Sequence, residues 1–387
     1  MSLISYDDQF DGEKTRSSHS RQKKQLQVSV MACPAFDPIQ RQSYRQIELT
    51  VSTGPIASGT FGSVYRGRLS ESGESVALKR VLQDPRYKNR ELRTLYTLGE
   101  HENLVRLRYH YYCRGKMDPG KLYLHLVTEL FPESLLDLLA RYRKAETLPS
   151  MLKVRIFAYQ LLRAINYMHS HRICHRDIKS PNVLVDESDC RLRLCDFGSA
   201  KELPLPGEVA EGGGANAAAA AGVAYISSRY YRAPELLFGS TNYSCAIDLW
   251  SVGCVLAELC IGHCLFMANN SLDQLVAIIR VLGTPTKRDL LAMNPVYEKF
   301  PLPQVAPDPQ LSFPIGTPPE LLDLLCRLLA YQPGSRLAPL RALAHPFFDE
   351  LRQRLPSDKL ELFNFSQQEL GSADRDLLAA LKPSYSN

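Results

Sequence analysis

Between residues 50 and 131 the apolar positions recur mostly at every second residue. Val105–Tyr112 (VRLRYHYY) and Leu122–Val127 (LYLHLV) alternate or run apolar, as the strands of a half-buried sheet do. One helix interrupts them, from about Lys88 to Leu98, with Gly99 placed where a helix often stops. After Pro132 the period becomes helical. Val154, Phe157, Leu161, Ile165 and Met168 follow three- and four-residue spacing and form one apolar stripe. Leu249–Ile261 (LWSVGCVLAELCI) is apolar nearly all round, which predicts a helix at the centre of a domain. Helical patterning continues to about Phe348. The pattern therefore predicts an α+β chain, with a small strand-rich lobe over about 50–131 and a large helical lobe over about 132–348.

The flanks differ. Residues 1–49 are rich in Ser, Gln, Asp and Arg and read as a flexible tail. Residues 349–387 form a C-terminal extension of mixed pattern, expected to pack only in part. Pro204–Gly222 (PLPGEVAEGGGANAAAAAG) is low-complexity and reads as a flexible loop.

Composition narrows the function classes. At 387 residues, with 45% hydrophobic and 22% charged side chains, the chain has globular usage and room for two or three domains or one bilobal unit. The net charge of +5 is too mild to imply nucleic acid or an anionic membrane as partner. Part of the excess is local: Lys14, Arg16, Arg21, Lys23 and Lys24 share residues 14–30 with no acid. Ten cysteines without a C-x-x-C pair suit neither a disulfide scaffold nor a zinc site. The start, MSLISYDDQF, does not read as a secretory signal, and no uncharged stretch is both apolar and long enough to span a bilayer. A reducing, cytoplasmic location is expected, with entry to the nucleus left open.

Candidate chemistry begins at Ile56-Ala57-Ser58-Gly59-Thr60-Phe61-Gly62-Ser63-Val64. Glycines between two strand-like runs let a hairpin backbone approach a phosphate, although such hairpins are also ordinary turns. Downstream, Val76-Ala77-Leu78-Lys79 ends an apolar strand in a lysine. Glu91 has Leu95 and Leu98 at i+4 and i+7, so its carboxylate lies on an apolar stripe and calls for a partner. Lys79 is that candidate, the alternative being a surface glutamate. In His175-Arg176-Asp177-Ile178-Lys179-Ser180-Pro181-Asn182, Asp177 can accept or orient a hydroxyl proton. Lys179 can neutralise a migrating phosphoryl group, and Asn182 can hold a metal. Asp196-Phe197-Gly198 puts a second oxygen ligand, suited to magnesium, at the end of a strand. Ala233-Pro234-Glu235 and Asp248-Leu249-Trp250-Ser251-x-Gly253 follow.

In this order and spacing the motifs resemble those of the eukaryotic protein kinases across about 300 residues. The resemblance implies a bilobal kinase fold, with a small antiparallel-sheet N-lobe bearing one main helix and a large helical C-lobe. It also implies ATP and Mg²⁺ as cofactors and proteins as substrates. ATP would be held by residues 56–64, by Ala77, Lys79 and Glu91, and by the hinge at Glu129 and Phe131. Asp177 would be the catalytic base beside Lys179, with Asn182 and Asp196 on the metal. Glu235 would be tied to Arg336, and Asp248 would brace the catalytic loop.

Longer stretches are similar to the glycogen synthase kinase 3 family. These are Lys88–Leu92 (KNREL), Leu194–Lys201 (LCDFGSAK), Tyr225–Glu235 (YISSRYYRAPE), Val281–Thr286 (VLGTPT) and Leu362–Phe365 (LFNF). That resemblance implies a serine/threonine kinase whose Arg90, Arg176 and Lys201 grip a phosphate already on the substrate, in the form S/T-x-x-x-pS/pT. It implies phosphorylation of Tyr225 and docking of scaffold-protein helices near residues 271–285. Four features depart from the family. Ala57 replaces a loop glycine, and Thr128 replaces a leucine before the hinge, which should deepen a back pocket. The insertion between Lys201 and Tyr225 is about a dozen residues, a length that costs little entropy. The tail carries Ser17, Ser18 and Ser20 among basic residues, where phosphorylation would suit the Arg90, Arg176 and Lys201 pocket, but the surrounding sequence does not match the family's inhibitory tail well. A pseudokinase scaffold is disfavoured because Lys79, Asp177, Asn182 and Asp196 are all present. A small-molecule phosphotransferase is disfavoured by the intact Ala233-Pro234-Glu235 segment.

Overall fold

The computed structural model describes residues 25–30, 47–59, 62–83, 89–115, 118–203, 227–296, 302–308, 313–354, 361–371 and 373–383. Two compact units divide the chain: Met1–His101 with Val105–Phe131, and Glu102–Leu104 with Pro132–Asn387.

The first unit is a six-stranded sheet with one helix. In chain order its elements are β1 (Gln25–Val30), β2 (Ile47–Gly59), β3 (Gly62–Leu69), β4 (Ser75–Gln83), α1 (Arg90–Leu98), β5 (Leu107–Arg114) and β6 (Leu122–Glu129). The sheet order is β1-β2-β3-β4-β6-β5, with every neighbouring pair antiparallel. Alternation builds its core. Val76 and Leu78 point inward from β4 to join Leu49, Val51, Leu69, Tyr111 and Val127. α1 starts where the Asn89 side chain accepts the Leu92 N–H and stops at Gly99. The predicted start at Lys88 is two residues early, and 84–88 lie outside the described residues. One expectation is corrected. The stretch read as a flexible tail over 1–49 supplies a strand, Gln25–Val30, which pairs with Ile47–Ser52.

The second unit contains β7 (Glu133–Ser134), α2 (Leu135–Lys144), α3 (Met151–Ser170), β8 (Ile173–Cys174), β9 (Val183–Asp186), β10 (Arg191–Leu194) and β11 (Lys201–Glu202). Then follow α4 (Pro234–Leu237), α5 (Ala246–Ile261), α6 (Ser271–Leu282), α7 (Lys287–Met293), α8 (Pro319–Leu328), α9 (Pro339–Leu343), α10 (Asp349–Arg354), α11 (Gln367–Leu370) and α12 (Arg375–Leu381). Two helices form its centre. Thirteen residues of α3 are buried, and so is every residue of α5 from Ile247 to Cys260. At Gly253 a β-carbon would come within 2.8 Å of Leu329, so glycine there lets the chain pack directly on α5. None of the described helices is long and apolar enough to cross a membrane. Short β7, β8 and β11 hold the loops between helices, as β9 pairs with both β7 and β10 and β11 pairs with β8.

The C-terminal extension packs more fully than its mixed pattern predicts. Tyr159 on α3 meets Phe348, Phe363 and Phe365 with ring centroids 5.2, 5.4 and 6.4 Å away. Beside it, Arg163 Nε donates to Glu369 Oε1 at 2.7 Å, and its Nη1 donates to the Glu361 carbonyl at 2.8 Å. Asn166 Nδ2 donates to the Glu369 carbonyl at 2.8 Å. Both ions are buried, so removing one strands the other in a low-dielectric site. Arg163→Met should therefore cost about 3–5 kcal/mol in urea unfolding, and Arg163→Met combined with Glu369→Met should recover part of that loss.

Candidate functional site

The glycine hairpin is formed by β2 and β3, where Ala57 faces Val64, Ser58 faces Ser63 and Gly59 faces Gly62. Its tip, Thr60 and Phe61, lies outside the described residues. Ile56 through Gly59 are exposed, and Ser63 and Val64 half-buried. Gly62 has φ +132°, and a β-carbon there would lie 2.1 Å from the Arg80 carbonyl on the neighbouring strand. Glycine is therefore required at 62. The strand register shifts between Pro55 and Ala57, but Ala57 has no positive φ, so it stands in place of a glycine without backbone strain.

Lys79, on β4 between Val64 and Leu126, reaches Glu91 on α1. Its Nζ donates to both carboxylate oxygens, at 2.7 and 2.8 Å. The expected partnership is thus present, with Glu91 buried and the ammonium aligned by two short bonds. At the end of β6, Thr128 is half-buried opposite Ala77. Glu129 accepts the Arg106 N–H in its carboxylate at 2.8 Å, which fixes the chain leading to buried Phe131.

The second group of residues is organised by Asp248, in the first turn of α5. Its Oδ2 accepts the His175 N–H at 2.8 Å and its Oδ1 the Arg176 N–H at 2.9 Å. His169 Nε2 lies 3.0 Å from Oδ2. Arg176 adopts φ +66°, a conformation that costs a non-glycine residue energy and is held here by this two-point clamp. Next in sequence, Asp177 is buried and fully satisfied. Its Oδ1 accepts from the N–H and the hydroxyl of Ser228, at 3.1 and 2.9 Å. Its Oδ2 accepts from Lys179 Nζ at 2.8 Å and Asn182 Nδ2 at 3.2 Å. Lys179 Nζ also donates to Ser228 Oγ at 3.0 Å. Asp177, Lys179, Asn182 and Ser228 are therefore one network.

Asn182 Nδ2 donates in addition to the Asp177 carbonyl at 2.8 Å, and the Cys195 N–H donates to the Asn182 carbonyl at 2.9 Å. The second bond ties the strand ahead of Asp196 to the loop of Asn182. Asp196 adopts φ 64°, ψ 73° and accepts the Gly198 N–H at 3.4 Å.

Sequence reasoning missed several of these groups. Ser228 joins Asp177 to Lys179. Ser227 Oγ donates to the Arg176 carbonyl at 2.6 Å, and Arg232 Nη2 to the Ser227 carbonyl at 2.9 Å. Tyr231 OH donates to Glu258 at 2.7 Å, and Ser180 Oγ to the other oxygen of that carboxylate at 3.1 Å. Their one sequence signal is the hydroxyl-rich run just before Ala233-Pro234-Glu235. Two implied ties are present: Arg336 grips Glu235 through two bonds of 2.7 and 2.6 Å, and Asp248 braces the loop.

Of the three cations implied to hold a phosphate, Arg90 is exposed at the start of α1 in the first unit. Arg176 donates from Nε to the Ser199 carbonyl at 2.6 Å and from Nη1 to Tyr243 OH at 2.7 Å, which leaves donors of its fork for another acceptor. Lys201 pairs with Cys174 across β8 and β11, two residues from Arg176. Tyr225 and the Gly/Ala insertion lie outside the described residues.

Residues 51–348 match the protein kinase domain as a family model. The chain belongs to the protein kinases. It is accordingly an ATP-dependent phosphotransferase acting on protein, assisted by a divalent cation. The donor set fits such a cation. Both side-chain bonds of Asn182 are donated by its nitrogen, which leaves the amide oxygen as a ligand, and Asp196 supplies a carboxylate, so both donors are hard oxygens.

Burial alone would push the Asp248 carboxyl up. The His169 hydrogen bond, the charges of His169 and His175 and the Arg176 N–H outweigh it and hold the group below its usual range. Burial alone would lower His169, but the Asp248 bond leads the groups that raise it. A depressed carboxyl stabilises the fold fully above the unfolded value of about 3.9, and this is lost as pH falls through the folded value. A raised histidine contributes fully below about 6.5 and loses its contribution as pH rises through the folded value. Asp248→Asn should cost about 3–5 kcal/mol near pH 6, with the gap to wild type narrowing below about pH 4. Urea midpoints measured across that range test it.

Proposed function

We propose that the kinase is a serine/threonine kinase of the glycogen synthase kinase 3 type, using ATP with Mg²⁺ on substrates primed by a phosphate four residues C-terminal. The observation that carries the serine/threonine reading is the Ser228 bridge. The main chain of residue 228 itself bonds the Asp177 carboxylate, and a short aliphatic hydroxyl spans from there to both Asp177 and Lys179. A substrate backbone lying along this segment presents serine or threonine at the right depth. A tyrosine would hold its hydroxyl a ring's length farther out.

In this reading Asp177 orients the substrate hydroxyl and takes its proton. Lys179 neutralises charge developing on the transferred phosphoryl group. Asn182 and Asp196 hold the cation, which supplies charge neutralisation at the phosphates. Lys79, fixed by Glu91, binds phosphate oxygens under the residue 56–64 hairpin, and Ala77, Glu129 and Phe131 bind adenine. Arg90, Arg176 and Lys201 bind the priming phosphate, a role supported by the sequence resemblance and by the uncommitted donors of Arg176. Phosphorylation of Tyr225 and a cytoplasmic location belong to the same proposal. Scaffold docking near 271–285 is supported by Leu272 and Val276, which lie one turn apart on α6 and are 66% and 42% exposed.

Phosphate transfer to S-x-x-x-pS and to the same peptide with plain serine tests the reading. Wild type should prefer the primed peptide, and Asp177→Asn should lower kcat by about 10²–10⁴-fold on both. Arg90→Ala should erase the preference by raising KM for the primed peptide alone. Equal wild-type rates on the two peptides would sink the priming reading and leave the kinase. No transfer by an ATP-binding wild type would favour a scaffold.

A further inference from the structure

Helix α1 meets the sheet through a second polar contact besides Glu91 and Lys79. Tyr96 OH and His110 Nδ1 lie at hydrogen-bond distance, 2.8 Å apart. The two rings stand edge to face, with centroids 5.6 Å apart. Tyr112, two residues on along β5, packs edge to face on the same imidazole at 6.1 Å. His110 is buried and Tyr96 half-buried. Burial, together with Tyr112, pushes the Tyr96 hydroxyl up to about 12, and burial lowers His110 below its usual value. Both groups are therefore neutral near pH 7, and the contact joins a phenol to an imidazole without a formal charge.

The strand register puts this contact in line with the Lys79–Glu91 pair. Lys79 on β4 stands opposite Leu126 on β6, and Leu126 stands opposite His110 on β5. Residues directly opposite share a face, so Lys79, Leu126 and His110 form one row across three strands. With strands about 4.8 Å apart, the two polar ends of the row are about 10 Å from each other. On α1 the matching groups are Glu91 and Tyr96, separated by about 7.5 Å of rise. Leu95 lies between them around the helix axis, as Leu126 lies between Lys79 and His110 along the row. Both leucines are buried. A helix held at Glu91 alone could pivot about that contact. A second bond five residues along, to a different strand, removes the pivot.

We propose that Tyr96 and His110 are positioning residues for ATP, pinning the second half of α1 to β5 so that Glu91 aligns the Lys79 ammonium on the phosphates. The proposal rests on the reading of Lys79 as a phosphate ligand. Neither side chain touches the nucleotide in this account. Each acts through Glu91, and the contribution is confined to the phosphate end of the ligand.

The test is calorimetric titration of the full-length kinase with ATP and Mg²⁺, and separately with adenosine, which has no phosphates. Tyr96→Phe and His110→Phe should each weaken ATP by about 2- to 10-fold, the range one neutral hydrogen bond supplies, and leave adenosine unchanged. His110→Asn, whose amide stands where Nδ1 was, should recover most of the loss. In a Glu91→Gln background Tyr96→Phe should weaken ATP by less than 2-fold, because the two changes break one arrangement. Unchanged ATP affinity in Tyr96→Phe would overturn the proposal. So would equal weakening of ATP and adenosine, or full additivity with Glu91→Gln, since a purely structural role gives those results. Lys79→Met separates the two readings. If it leaves ATP affinity unchanged, the phosphate role of Lys79 falls and this proposal with it. If it weakens ATP while Tyr96→Phe does not, only this proposal falls.

Discussion

Two adjacent backbone N–H groups, those of His175 and Arg176, point the same way into the protein interior and need one acceptor between them. Left unpaired, each would cost about 1–3 kcal/mol at this burial. Asp248 meets both with one carboxylate, 1% exposed, and it can remain ionised there because His169 and the first turn of α5 stabilise its charge. Arg176 can then hold its positive φ, and the carboxylate of Asp177 emerges in a fixed place. The position of the Asp177 carboxylate is thereby set by a helix buried nearly all round, and not by the preferences of the loop that bears it.

The same helix holds the opposite side of the network. Asp248, Ser251 and Glu258 lie within about 80° of helical arc, forming a polar stripe on an otherwise apolar rod. Ser251 Oγ donates to the Tyr231 carbonyl at 2.8 Å, and Glu258 accepts from Tyr231 OH and from Ser180. Burial raises the Glu258 carboxyl, and the Tyr231, Ser180 and Cys264 bonds oppose that rise. One face of α5 thus fixes the loop carrying Asp177 and the segment carrying Ser227 and Ser228. Because Ser227 bonds the Arg176 carbonyl and Ser228 bonds Asp177, the two segments also hold each other.

Legibility in the sequence followed the reach of each interaction. Strand β4 and helix α3 announce themselves through period, one by alternating burial and the other by a long stripe, while β6 reads as a short apolar run buried from Leu124 to Val127. Glu91 could be matched to Lys79 since an acid on an apolar stripe demands a partner, and Asp177, Lys179 and Asn182 share one short loop. The two-residue strands β7, β8 and β11 have no period to read. β1 does alternate, as QLQVSV, but its polar surroundings outweighed six residues of pattern. The C-terminal extension could not be placed because its aromatics become informative only once Tyr159 is known to face them. Ser228 was missed for a similar reason: nothing in a serine specifies which carboxylate, 51 residues away, its hydroxyl will meet.

The reading of α5 as apolar all round was correct about burial and silent about the stripe that matters most. A buried aspartate, serine and glutamate on a core helix would be a liability if their partners were not supplied by other segments. Here each has partners, and those partners are the backbone and side chains of the catalytic loop and the Ser227–Tyr231 segment. The far side of the helix packs so closely that Gly253 leaves no space for a side chain against Leu329. A helix that cannot shift on one side and is polar on the other makes a fixed template. The loops laid on it are held where their groups meet that stripe, His175 and Arg176 at Asp248 and Ser180 at Glu258.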